Sequence, residues 1–234
     1  MCEESKEQEK ELIHYSFLRG TINPEESKLW DDYEDFGEEE LLKRKIAKIK
    51  IYTGTYSNKP TILGFGCEFK NLYTGENEAE REHKGSEQFL DVKEFEIPYG
   101  EYLTDFHIRF PDEGDYLTQL GFETNKKTKF FVGTEEGNDK IIETNGGENV
   151  IIGTFGHINK KLDAMGILTI TKKDYFKKIL FSYFMLRYKI QKDINFKKKW
   201  DEKYDELPTE FKYLWKAVNL PDTPFAQIIR YCFC

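Results

Sequence analysis

The residue types best suited to catalysis or metal binding are few in this chain, and they are scattered. His14, His83, His107 and His157 stand far apart, and none lies at ligand spacing with Asp, Glu or Cys. His107 falls within an alternating apolar segment, where a structural histidine is the ordinary reading. The four cysteines, Cys2, Cys67, Cys232 and Cys234, match neither a disulfide framework nor a zinc site. There is no Gly-x-Ser-x-Gly elbow, phosphate loop or dinucleotide fingerprint; Gly64-Phe65-Gly66 is a bare pair inside a strand. Acidic pairs abound, but 33% of the chain is charged, so a carboxylate pair singles nothing out. The expectation is a recognition or interaction module with no catalytic residues, no metal and no cofactor, rather than an enzyme.

Charge narrows the partners. The formal net charge is -8, and its distribution is uneven. Residues 1–45 carry 7 Lys+Arg against 14 Asp+Glu, whereas residues 172–234 carry 14 against 8. An acidic body disfavours nucleic acid as a partner. The first ten residues are charged throughout and read as no signal peptide, and the longest apolar run, 179–186, is too short to span a bilayer. With unpaired cysteines, this predicts a reducing, cytoplasmic setting, within a cytoskeletal or other large assembly. Lipidation of Cys2 or of Cys232 and Cys234 is the remaining route to a membrane.

The elements that must position any site are mostly strands. Aromatics make up 15% of the sequence, and Phe and Tyr favour strands. Ile46 to Tyr52 alternates with a period of two, and strands follow at 61–70, 94–98, 102–110, 116–124, 129–132, 140–144, 150–155 and 166–171. Turn chemistry separates them, as in 134–138 and Asn145-Gly146-Gly147. Residues 1–21 read as an acidic arm, helical or frayed, and a short helix is expected over 38–48. Many short strands without intervening amphipathic helices indicate a sandwich, barrel or prism. After Thr171 the period becomes helical: Phe176, Ile179, Leu180, Tyr183, Phe184 and Tyr188 recur on one side. Further helices are expected over 196–207 and 209–218.

Four patches in order carry a family resemblance. They are Trp30-Asp31-Asp32; His83-Lys84-Gly85 with Glu101-Tyr102-Leu103-Thr104; Leu120-Gly121-Phe122-Glu123-Thr124-Asn125; and the closing hairpin, Ile151 to Gly156 with Leu162-Asp163-Ala164-Met165-Gly166. Over residues 22–171 the chain resembles the jacalin-related lectins. The resemblance implies an all-β fold, a β-prism of three Greek-key sheets, here with an α-helical C-terminal extension over 172–234. It also implies a sugar site in which the Asp163 carboxylate accepts hydrogen bonds from sugar hydroxyls. Backbone donors around Lys160, Lys161 and Leu162 would complete it, with Asn159 in left-handed geometry where the family has glycine.

The facing half of that site departs from the family. Where the family carries Gly-Gly, this chain has Pro24-Glu25-Glu26-Ser27-Lys28-Leu29, whose side chains obstruct a close backbone approach. Asp163 would then bond neighbouring N–H groups of its own loop. The preferred expectation is a non-catalytic, lectin-like subunit of an intracellular protein assembly. It would dock to protein partners through its tail, with Phe176, Leu180, Phe184, Trp200 and Trp215 as anchors. The alternative is an active mannose- or galactose-type lectin using the Asp163 loop, with a glycan as its partner.

Overall fold

The computed structural model describes residues 12–202 apart from 24, 73–76, 99, 112–115, 136, 144–147, 179–187 and 189–191. Among them, three antiparallel sheets form a β-prism. The second sheet holds β4 (Arg44–Tyr56), β5 (Lys59–Asn71), β6 (Asn77–Lys84) and β7 (Phe89–Glu96), in the order β6-β5-β4-β7. The third holds β8 (Leu103–Phe110), β9 (Gln119–Thr124), β10 (Lys129–Gly133) and β11 (Asn138–Glu143), in the order β10-β9-β8-β11. Each is a Greek key, three consecutive strands with a fourth returning beside the first. The first sheet repeats the pattern with the two ends of the prism domain inside it. It runs β1-β13-β12-β3, with β1 (Ile13–Tyr15) and β3 (Lys28–Asp31) from one end and β12 (Asn149–Ile158) and β13 (Leu162–Thr171) from the other. The two-residue strand β2 (Arg19–Gly20) also pairs with β13.

Alternation in the sequence builds the core. Ile49 and Ile51 of β4, Phe65 and Phe69 of β5, Phe106 and Ile108 of β8 and Phe122 of β9 are all buried. Phe122 sits between Phe65 and Phe106, at 5.7 and 5.1 Å between ring centroids. The outward residues of the second sheet are charged instead. Lys50 lies between Glu68 at 3.1 Å and Glu82 at 3.7 Å, and contacts Glu80. The Glu80 hydrogen bond holds its ammonium well above the usual lysine range, against the opposing effect of burial.

Three segments differ from expectation. The described part of the expected acidic arm, 12–21, supplies β1 and β2, because Ile13 and Tyr15 pair with Ile170 and Leu168 at the open edge of β13. β6 was not expected at all. Its sequence Asn-Glu-Ala-Glu-Arg-Glu-His-Lys lacks large apolar residues, and one face stays half-buried beneath aliphatic stems and rings. The acidic stretch after Trp30 folds as α1 (Asp32–Phe36) and α2 (Glu38–Leu41), split by Gly37 at φ 73. Asp31 caps α1 by accepting from the Tyr33 amide at 2.8 Å. Phe36 pins this insert, its ring lying 4.5 Å from the Arg44 guanidinium and 4.6 Å from that of Arg81.

The extension begins as helix α3 over 172–178. Thr171 caps it: the Asp174 amide donates to Thr171 Oγ1 at 3.1 Å, and that hydroxyl donates to Asp174 Oδ2 at 2.6 Å. The first turn thus lays Tyr175 into the core and sets Phe176 edge-on against Tyr102 at 5.9 Å. Phe176, expected as a partner anchor, is therefore partly buried against its own prism. α4 (Ile194–Glu202) contains the Trp200 backbone. The Trp200 side chain, Leu180, Phe184 and Trp215, and the expected lipidation sites Cys2, Cys232 and Cys234, lie outside the described residues. No helix among the described residues is long and apolar enough to cross a membrane.

Candidate functional site

Pairing of β3 with β12 sets Lys28 opposite Ile158, so Ser27 arrives beside the β12–β13 loop. Pairing of β2 with β13 brings in residues 20 and 21 from the other side, with the Thr21 amide donating to the Asp163 carbonyl at 3.2 Å. Gly20, at φ 135, is required here: a Cβ would lie 2.1 Å from that same carbonyl oxygen. Gly85 plays the matching part below the loop, where a Cβ would stand 2.1 Å from the Lys160 carbonyl. The Ser86 and Glu87 amides then donate to the Asn159 and Lys160 carbonyls at 3.0 and 3.2 Å. Four stretches of chain therefore converge on Asp163.

The Asp163 carboxylate is already occupied from within. Ser27 Oγ donates to Oδ2 at 2.6 Å, and Lys161 Nζ donates to Oδ1 at 2.8 Å. Lys161 is 4% exposed and Asp163 6%. The ammonium also lies 5.4 Å from the Tyr56 ring centroid, in cation–π range. Tyr56 is held there by the β4–β5 turn, where Ser57 and Asn58 both adopt the positive φ of a tight hairpin.

The expected site residues are thus brought together, with altered roles. Asp163 bonds two side chains rather than amides of its own loop. Lys161 contributes its ammonium, and Leu162 is buried within β13 opposite Ile158. Lys160 contributes a carbonyl to the loop's anchoring. Asn159 does not adopt the expected left-handed geometry. Its carbonyl is tied by Ser86 and its side chain by Glu26, with Nδ2 donating to Glu26 Oε2 at 3.2 Å, so the loop closes without a positive φ. Glu26, one of the two glutamates that stand where the family has Gly-Gly, thus lies against the loop. Ser27, which bonds Asp163, and Tyr56, which faces the Lys161 ammonium, were not singled out. Position offered a partial signal for Ser27, directly before a strand that must lie beside the loop; nothing local marked Tyr56.

The Trp-Asp-Asp motif does structural chemistry next door. Asp32 Oδ2 accepts from the Thr154 amide at 2.7 Å and from Thr154 Oγ1 at 3.0 Å. Its Oδ1 has no hydrogen-bond partner among the described residues. Burial pushes the carboxyl up to about 6, against the lowering effect of the Thr154 bonds. The Trp30 indole occupies the space that a side chain at Gly156 would take, and stacks on His83 at 4.6 Å between centroids. Burial takes His83 down to about 4, leaving it neutral at pH 7.

Three Greek-key sheets around one core, with a carboxylate at the loop of the closing hairpin, define a β-prism of the lectin type. The jacalin-like lectin domain model matches residues 27–168, more than half of the sequence, and the chain belongs to that family. Solved structures agree on the fold. A mannose-specific jacalin-related lectin from Morus nigra, in complex with mannose, is 21% identical with a TM-score of 0.53, over 70% of this chain and 97% of that one. An artocarpin–mannotriose complex is 20% identical with a TM-score of 0.51, covering 68% and 99% respectively. Malaysian banana lectin is 21% identical, with a TM-score of 0.51 and coverage of 68% and 99%. No curated protein sequence matches.

Proposed function

We propose that this protein is a non-catalytic, lectin-like interaction subunit whose ancestral sugar acceptor has become part of its own framework. One observation carries this reading: both oxygens of Asp163 are bonded internally, one of them by a buried ammonium. Asp163 is only 6% exposed, so a sugar hydroxyl gains room at the carboxylate only if Lys161 or Ser27 gives way. Displacing a buried cation leaves two charges without partners, which costs more than one hydroxyl contact returns. The module then works through protein contacts, and the chain beyond Thr171 is its natural docking element, with Trp200 and Trp215 as the remaining aromatic anchors.

The second reading is an active lectin binding a mannose- or galactose-type glycan. It is favoured by the position of Asp163, which lies between the 20–27 segment and the β12–β13 loop. Two structures of similar fold, the artocarpin–mannotriose complex and the Morus nigra lectin in complex with mannose, support it too. Titration of the full chain with mannose, galactose and a glycan array separates the two. The expected result is no saturable binding. Binding that free mannose or galactose competes away, and that Asp163→Ala abolishes, would establish the lectin and overturn the subunit reading.

A further inference from the structure

We propose that β7 is a self-pairing edge, through which a second copy of this chain adds antiparallel to the second sheet in a two-fold contact centred on Val92. β7 closes one side of that sheet, pairing with β4 alone, and no strand among the described residues pairs with its other edge. The direction of its backbone groups is fixed by three contacts. The Asp91 carbonyl accepts from Thr53 Oγ1, and the Ile97 amide donates to the Ala47 carbonyl, so odd-numbered residues face β4. The Val92 amide instead donates to Asp91 Oδ1 at 2.9 Å, a local substitute for a strand partner. From Val92 to Glu96 the even-numbered residues therefore present their amides and carbonyls outward, and the register shift between Thr53 and Gly54 ends this phase at Leu90. A strand added antiparallel with Val92 opposite its own symmetry mate meets those groups in phase, forming a mutually bonded pair at Val92–Val92, with the ladder ending at the irregularity at Leu90 of each copy.

Charge selects this register. Centred on Val92, Asp91 of each copy lies opposite Lys93 of the other, giving two cross-strand ion pairs. Shifting the centre to Asp91, Lys93 or Glu94 would instead set like charges against each other. Within one chain Lys93 and Asp91 pair at 2.7 Å, with side chains 57% and 51% exposed, so both are accessible for the exchange. Leu90, 72% exposed, and Val92, 36% exposed, would cover each other diagonally across the junction. The net charge of -8 on each copy opposes association, so the contact is weak and concentration-dependent.

Sedimentation of the full chain over a concentration series tests this. The wild type should shift from monomer towards dimer as concentration rises. Asp91→Lys and Lys93→Asp, each alone, place like charges opposite one another twice and should weaken association by about tenfold or more. The double exchange D91K/K93D restores complementarity and should restore association. A wild type that stays monomeric throughout, or single exchanges that associate as the wild type does, would overturn the proposal. So would a folded double variant that fails to recover.

Discussion

Asp163 and Asp32 are both buried carboxylates at the first sheet, and the protein treats them differently. Asp163 has a donor on each oxygen, one of them an ammonium. Asp32 is buried more deeply, at 1% exposure, with both of its donors on one oxygen and none on the other. The contrast separates two ways of keeping an acid inside a protein: supplying a counter-charge, or raising the acid's affinity for a proton. At the first position each oxygen is tied to an internal donor; at the second the acid becomes sensitive to pH.

The largest break in this contrast should come from Lys161→Ala. Removing one partner of a buried ion pair leaves an uncompensated charge, so a loss of about 3–5 kcal/mol is expected in chemical denaturation. Replacing both partners, as in K161M/D163L, should recover most of that loss. A single variant as stable as the wild type would show that the pair does not hold the loop.

Next in size is the pH dependence of Asp32. Its folded value, about 6, lies above the ordinary 3.8, so proton uptake favours the fold. This contribution is fully present below about 3.8 and is lost as pH rises through about 6, a change on the order of 3 kcal/mol. Asp32→Asn keeps an oxygen for Thr154 and removes the charge. Denaturation at pH 4.5 and 7.5 should show a flattened slope and a variant more stable than the wild type at the higher pH. An unchanged slope would remove Asp32 as the cause.

Ser27→Ala is the smallest break and the one that sharpens the functional question. It removes a single hydrogen bond to a charged group, costing about 1.5–3 kcal/mol at most, and leaves the Lys161 pair in place. It also leaves Asp163 Oδ2 available to a ligand. Mannose binding by calorimetry that appears in this variant alone would show that the internal hydroxyl, rather than the shape of the loop, excludes sugar.

Much of this was legible beforehand, for identifiable reasons. Strands such as β4, β8 and β9 alternate because one face is core and the other solvent, and that pattern survives in a single sequence. β6 carries no such pattern, because it is an edge strand whose inner face is filled by Ala79, Arg81 and His83. β1 and β2 are too short to show a period. Asp163 was legible through its loop, but its partners were not. Lys161 lies two residues away, and only the Tyr56 ring and the surrounding burial turn its side chain inward. Ser27 lies 136 residues away and is brought in by strand pairing alone.

That separation gives the first sheet a particular place in the assembly of the molecule. The second and third sheets are each contiguous in sequence, so their hairpins close over short loops. The first sheet joins both ends of the domain, and its loop-closure entropy is correspondingly the largest. A chain that has not yet brought residues 13–31 onto β12 and β13 has an Asp163 that meets Lys161 but lacks Ser27, and an Asp32 with no Thr154. The paired environment of the two acids thus amounts to a record that the ends of the domain have met.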